Sequence, residues 1–220
     1  MTRPRILVTG FSAFPGARRN PSEVLVRGLD VDTLSRRLGI GLATAILPTE
    51  YEAVGEMLPR LWCDLAPDAV IHFGLAGRAG GVRLEAFGRN ASAPFRPDAA
   101  GRLPGRIIEP GGPSVRRVTL PLAQLAAALA RQGIPAATSV DAGGYLCNFA
   151  TYLSLGIAGT AAAPRPLAGF VHLPWPAEER IPRAPSGRPG WAQLAQVVET
   201  AVAVTALAAR AGRLPGQIRQ

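Results

Sequence analysis

The chain of 220 residues contains no lysine at all. Its 24 basic side chains are all arginine and outnumber the 15 acidic ones, giving a formal charge of +9. Such an excess invites a nucleic-acid reading. The arginines are scattered, however, as at Arg3, Arg5, Arg18, Arg19, Arg36, Arg37, Arg116 and Arg117. No stripe of them interleaved with aromatic residues appears, so nucleic acid is not an expected partner. Cysteine and histidine are equally sparse, with two of each. Cys63 and Cys147 form no C-x-x-C pair and the histidines lie far apart, which argues against a metal site. No G-x-G-x-x-G or G-x-x-x-x-G-K-S/T loop is present, so a nucleotide cofactor has no support. Uninterrupted apolar runs of the ~18–20 residues that span a bilayer are also missing, and no membrane partner is expected. Residues 1–5 lack the apolar core and small-residue cleavage site of a signal peptide. The expectation is a cytoplasmic protein whose two thiols are free rather than paired.

What is present suits a globular fold. Apolar residues make up 48% and charged residues 18% of the chain, and the length suffices for one well-packed domain over 1–220. Residues 5–9 read as a buried strand stopped at Gly10. The loop 10–16 follows, and Asn20-Pro21 has the form of a helix N-cap with proline at the first helical position. Further strands are expected over Gly41–Leu47, 68–74, 82–90, 135–139 and 166–174. Helices are expected over Tyr51–Leu65, Leu122–Arg131, from Cys147 to about Leu155, and over Trp191–Ala211. Residues 91–116, rich in proline, glycine and arginine, read as a long surface loop or hairpin. This strand–helix alternation predicts a single three-layer α/β/α sandwich with a mostly parallel twisted sheet.

In such folds sites form where strands end and loops gather. The stretch Asp141-Ala142-Gly143-Gly144-Tyr145-Leu146-Cys147-Asn148 places a cysteine in the first turn of a helix. There, unpaired backbone N–H groups and the helix dipole favour a thiolate. His172 lies at the C-terminal end of the 166–174 strand. Glu85 is flanked by apolar residues, an unusual place for a carboxylate that is neither paired nor functional. The three together fit a cysteine hydrolase of nucleophile, base and orienting carboxylate. Backbone N–H groups around Leu146 and Cys147 suit a tetrahedral oxyanion. Phe11 and Phe14 either wall a pocket or cover the sheet edge. His72, inside an apolar strand, reads as a core histidine, and Cys63 as helix packing or surface.

Five stretches carry a closer resemblance: VTGFSAFPG with the following NPS (8–22), HFGLAG (72–77), LEAFGRN (84–90), AGGYLCN (142–148) and GFVHLPW (169–175). In order and spacing they resemble the pyroglutamyl peptidase I family of cysteine peptidases. The resemblance implies removal of an N-terminal pyroglutamyl residue from peptides or amides, with Cys147 as nucleophile, His172 as base and Glu85 as carboxylate. It implies an aromatic pair, Phe11 and Phe14, around the lactam ring, with Leu75 and Leu146 also at the substrate. No metal or organic cofactor is implied, and a homo-oligomer, commonly a homotetramer, is. The chain departs from the family in the 11–16 loop, where Ala13 lies between the aromatics. It departs again after Glu85, where Ala86 and Gly88 replace larger residues, and at Arg96-Pro97-Asp98, which is one residue shorter than the family's segment. Those departures leave open a hydrolase of another small acyl or lactam amide. The basic charge leaves open a non-catalytic binding protein of the same fold.

Overall fold

The computed structural model describes residues 3–212. Eight strands and six helices follow one another as β1 (Arg5–Phe11), α1 (Pro21–Arg27), α2 (Val31–Leu38), β2 (Gly41–Leu47), α3 (Tyr51–Leu65), β3 (Ala69–Leu75), β4 (Val82–Glu85), β5 (Phe87–Arg89), β6 (Val115–Arg117), α4 (Leu122–Arg131), β7 (Ala136–Ser139), α5 (Leu146–Thr160), β8 (Leu167–Leu173) and α6 (Trp191–Ala211). Six strands form one sheet in the order β2-β1-β3-β8-β4-β7. The strands β2, β1, β3 and β8 run parallel. β4 is antiparallel to β8 and carries β7 parallel to itself. The mostly parallel α/β sandwich expected from the alternation is therefore the observed architecture.

Helices α3 and α5 cover one face of the sheet, and α1, α2, α4 and α6 cover the other. β3 and β8 are buried almost throughout, which is why they read as continuous apolar runs rather than alternating ones. α6 is the one described helix long and apolar enough, by length and composition, to cross a bilayer, with a mean hydropathy of 1.4. The sequence showed no such run because Gln193, Gln196 and Glu199 interrupt it. In the fold, Leu194, Val197, Val198, Ala201 and Val202 bury its apolar stripe against the sheet.

Local departures from the sequence reading have packing causes. β1 does not stop at Gly10 but runs to Phe11. The glycine serves a close approach, since a Cβ there would lie 2.5 Å from the Ser22 carbonyl oxygen at the start of α1. The 82–90 strand is broken at Ala86. β5 leaves the main sheet to form a two-stranded hairpin with β6, and the segment between them contains no regular element. α5 continues past Leu155 to Thr160, keeping Ala158 buried. α2 was not anticipated, although Asp30 caps its start through the Thr33 N–H and Gly39, with φ of 59°, ends it.

Candidate active site

The site is built at the N-terminus of α5. Asp141 Oδ1 accepts from the Gly143 N–H, and Gly143 takes φ of 78°, a left-handed turn that a side chain would strain. The chain then enters α5 with Tyr145 as N-cap, Leu146 first and Cys147 second. Tyr145 provides no side-chain cap, so the first-turn N–H groups stay open toward the cleft. The turn is held from outside by neighbouring segments. The Ala93 N–H donates to the Gly144 carbonyl at 2.7 Å. The Tyr145 ring packs edge-on against Tyr51, with centroids 5.9 Å apart. The Arg96 guanidinium lies 4.1 Å above that same ring. Buried Asn148 accepts from the Arg89 N–H and donates to the carbonyls of Arg89 and Ala91, pinning α5 to β5.

Cys147 faces the ends of β3 and β8. Gly74 makes room for it: a Cβ there would sit 3.1 Å from Cys147 Sγ and 2.6 Å from the Phe170 ring. His172, two residues beyond Phe170 on β8, points to the same side of the sheet. Its Nδ1 lies 2.8 Å from Glu85 Oε1. Glu85 is fully buried, and its Oε2 has no hydrogen-bond partner. Its second neighbour is Arg83, whose Nε is 3.4 Å from the same Oε1. For His172, burial on its own lowers the imidazole pKa. The negative charge of Cys147 and a hydrogen bond to it, then the hydrogen bond and charge of Glu85, outweigh that burial and push it up from 6.5 to about 9. The arrangement favours an imidazolium between two anionic partners, which can both hold a thiolate and donate a proton.

A cleft of about 660 Å³ opens over these groups. It is lined by Phe11, Phe14, Leu75, Leu146, Cys147 and His172 among the residues expected from sequence. Glu85 does not line it and lies behind His172. Phe11 is itself largely buried and also packs on Phe170, so it both fills the sheet edge and walls the cleft. Phe14 faces the Tyr145 ring at 6.5 Å. The other two polar candidates lie elsewhere. His72 is wholly buried, with Nδ1 2.7 Å from Thr9 Oγ1 and Nε2 2.8 Å from Ser154 Oγ, and burial lowers its pKa from 6.5 to about 3. Cys63 is exposed on α3, and both thiols are free. No group of three or more His, Cys, Asp or Glu side chains among the described residues is arranged to hold a metal ion.

Three cleft residues were missed or undervalued from sequence: Arg83, Tyr145 and Arg96. The signal for Arg83 was its place two residues before Glu85, on the same strand face. The Arg96-Pro97-Asp98 segment, though short, still delivers Arg96 to the cleft. Buried Asp98 accepts the Tyr51 N–H with Oδ2 and the Ala100 and Arg102 N–H groups with Oδ1. It thereby caps α3, whose own N-cap, Glu50, makes no side-chain bond.

Comparison with known proteins bears on the family and the fold. The family model for pyroglutamyl peptidase matches residues 4–211. The chain is 34% identical to a pyrrolidone-carboxylate peptidase of Pyrococcus furiosus over 84% of this chain and 87% of that one. It is 33% identical to one of Streptomyces coelicolor over 97% and 94%. Among solved structures, pyroglutamyl peptidase I of Bacillus amyloliquefaciens superposes with a TM-score of 0.84 at 26% identity, covering 93% of this chain and 98% of that one. A mutant pyrrolidone carboxyl peptidase of Pyrococcus furiosus gives 0.81 at 30% identity, over 91% and 97%. With the model spanning nearly the whole sheet and both helical layers, the chain belongs to the pyroglutamyl peptidase family of enzymes.

Proposed function

We propose that this protein hydrolyses the amide bond following an N-terminal pyroglutamyl residue, with Cys147, His172 and Glu85 as its catalytic residues. The observation that carries this reading is the His172 ring. Its Nδ1 is 2.8 Å from a buried carboxylate, and it interacts with the charge of Cys147 at the first turn of α5. The Cys147 thiolate attacks the pyroglutamyl carbonyl carbon, forming a C–S bond and moving the carbonyl electron pair onto oxygen. The open N–H groups at the start of α5 stabilise that oxyanion. The His172 imidazolium gives its proton to the leaving amine as the C–N bond breaks, leaving a thioester. Neutral His172 then takes a proton from water, which attacks the thioester, releasing pyroglutamate and the thiolate. Glu85 accepts from Nδ1–H throughout and keeps the ring in one tautomer. The flat, neutral lactam has no free α-amine and suits the apolar walls of Phe11, Phe14, Leu75 and Leu146.

The test is release of a dye from a pyroglutamyl amide. Cys147→Ala abolishes it, and Cys63→Ser, at an exposed site on α3, leaves it nearly unchanged. Full activity in the Cys147→Ala protein sinks the mechanism. The same reading includes one domain, supported by the single six-stranded sheet, and a cytoplasmic setting, supported by two free thiols. It also includes a homotetramer. It is supported by Phe95, Leu103 and Ile107 in the segment between β5 and β6, apolar side chains that are 82%, 60% and 55% exposed and that further copies would cover. Light scattering on the eluted protein tests this, and a monomeric mass at micromolar concentration refutes it.

A further inference from the structure

We infer that the leaving-group side of the cleft is a subsite for a carboxylate, so that the enzyme favours pyroglutamyl substrates with a negative charge just beyond the scissile bond. This rests on the catalytic reading above. The sheet order fixes the direction. Phe11 ends β1, Leu75 ends β3, His172 is the last residue but one of β8, and next to β8 comes β4. Arg83 on β4 is the register partner of His172, so its side chain rises from the same face, immediately beyond the imidazole. The lactam lies between the aromatics on the β1 side. His172 protonates the leaving amine, so the leaving residue extends past β8 toward β4, and Arg83 is there to meet it.

The charges lining the cleft as a whole are unbalanced. Arg78, Arg83 and Arg96 line it against a single carboxylate, Asp141, whose Oδ1 already accepts from Gly143. Arg96 is engaged over the Tyr145 ring. Arg78 is exposed and has no hydrogen-bond or ion-pair partner among the described residues. Arg83 is 42% exposed at its side chain. Its Nη2 donates to Ser139 Oγ at 2.5 Å and to the Asp141 carbonyl at 2.9 Å, which fixes the guanidinium in place. Its one ion-pair partner among the described residues, Glu85, is buried behind the imidazole. With Nη2 bonded to the Ser139 and Asp141 oxygens and Nε beside Glu85, the guanidinium keeps its two Nη1 N–H groups and its charge for a carboxylate in the cleft. Two substrate groups supply that chemistry: an acidic side chain directly after pyroglutamate, or the terminal carboxylate of a pyroglutamyl dipeptide.

The experiment measures kcat/KM for four substrates: pyroglutamyl-glutamate amide, pyroglutamyl-glutamine amide, and pyroglutamyl-alanine as free acid and as amide. The expected result is a preference for the charged member of at least one pair of about three- to tenfold, shrinking as salt is raised. Preference within the first pair assigns the side chain, and preference within the second assigns the terminal carboxylate. Arg83→Met slows every substrate because it also removes a neighbour of Glu85, but the ratio within a pair cancels that loss. The ratio falls in Arg83→Met and in Arg78→Met and approaches one in the double variant. Equal rates within both pairs for the unmodified enzyme, or a preference that survives the double variant, overturn the subsite while leaving the peptidase reading intact. Failure to hydrolyse any of the four overturns the peptidase reading and the subsite with it.

Discussion

The sharpest test of the site is Glu85→Gln. The substitution conserves shape. The amide oxygen can take the place of Oε1 and accept from His172 Nδ1–H at 2.8 Å, while the amide NH2 falls where Oε2 now has no partner. What is lost is one negative charge in direct contact with the imidazole. An opposite charge at this range raises a histidine pKa by ~1–3 units. Cys147, the stronger of the two influences that raise His172, remains in the variant. The lower part of that range, ~1–2 units or ~1.4–2.7 kcal/mol, is therefore expected. The imidazolium of the unmodified enzyme persists until the pH passes about 9. Above that pH the leaving amine has no proton donor and kcat/KM falls. In Glu85→Gln this alkaline limb moves down to near pH ~7–8, and kcat at the optimum drops ~10²- to 10⁴-fold because the tautomer is less well held. The assay is kcat/KM for a pyroglutamyl dye amide from pH 6 to 10, with circular dichroism to verify folding. An alkaline limb that stays in place in the folded variant refutes the coupling of Glu85 to His172.

Three further outcomes follow from packing and linkage. Gly74→Ala puts a methyl group 2.6 Å from the Phe170 ring and 3.1 Å from Cys147 Sγ. It lowers both Tm and the rate of Cys147 alkylation, and a variant that melts and alkylates like the parent contradicts the geometry. His72 has a folded pKa depressed to about 3 by burial, below its ordinary 6.5. The unfolded chain therefore binds a proton that the folded chain refuses, and stability falls as pH drops below 6.5, by up to ~1.4 kcal/mol per unit. Between pH 6 and 5 the urea midpoint of His72→Gln should be flatter than the parent's; parallel slopes reject the assignment. His172 does not confuse this window. Its pKa is raised, so its stabilisation is fully present below 6.5 and is lost only as pH rises through about 9. Asn148→Ala removes three hydrogen bonds to β5 and the segment after it. It should cost ~2–4 kcal/mol because three hydrogen bonds of ~1 kcal/mol each are lost from a fully buried amide, and a loss under ~0.5 kcal/mol in chemical unfolding would dismiss that role.

Most elements were legible because each carried its own local signal. β2, α3, α4 and α6 have the boundaries that their apolar periodicity predicts. α1 begins at Pro21 behind the Asn20 cap for the same local reason. The positions of Cys147, His172 and Glu85 could be named because a cysteine at a glycine-to-helix join, a histidine at a strand end and a carboxylate in an apolar strand are each locally anomalous. Arg83 is not anomalous in this way: its one signal, the place two residues before Glu85, is ordinary for an arginine in a short strand until its neighbour across the sheet is known. The antiparallel setting of β4 was likewise invisible, because strand direction leaves no mark on side-chain periodicity.

The sequence by itself determined most of the main-sheet strands and covering helices, the α/β class and the three residue types that a cysteine hydrolase requires, since these depend on residues near one another along the chain. Only the tertiary structure decided that Glu85 and His172, 87 residues apart, meet at 2.8 Å. Only the structure, too, showed that Gly74 vacates the space Cys147 needs and that Arg83 stands opposite His172. Those facts depend on sheet order and register, which are set by how whole layers bury their apolar faces together.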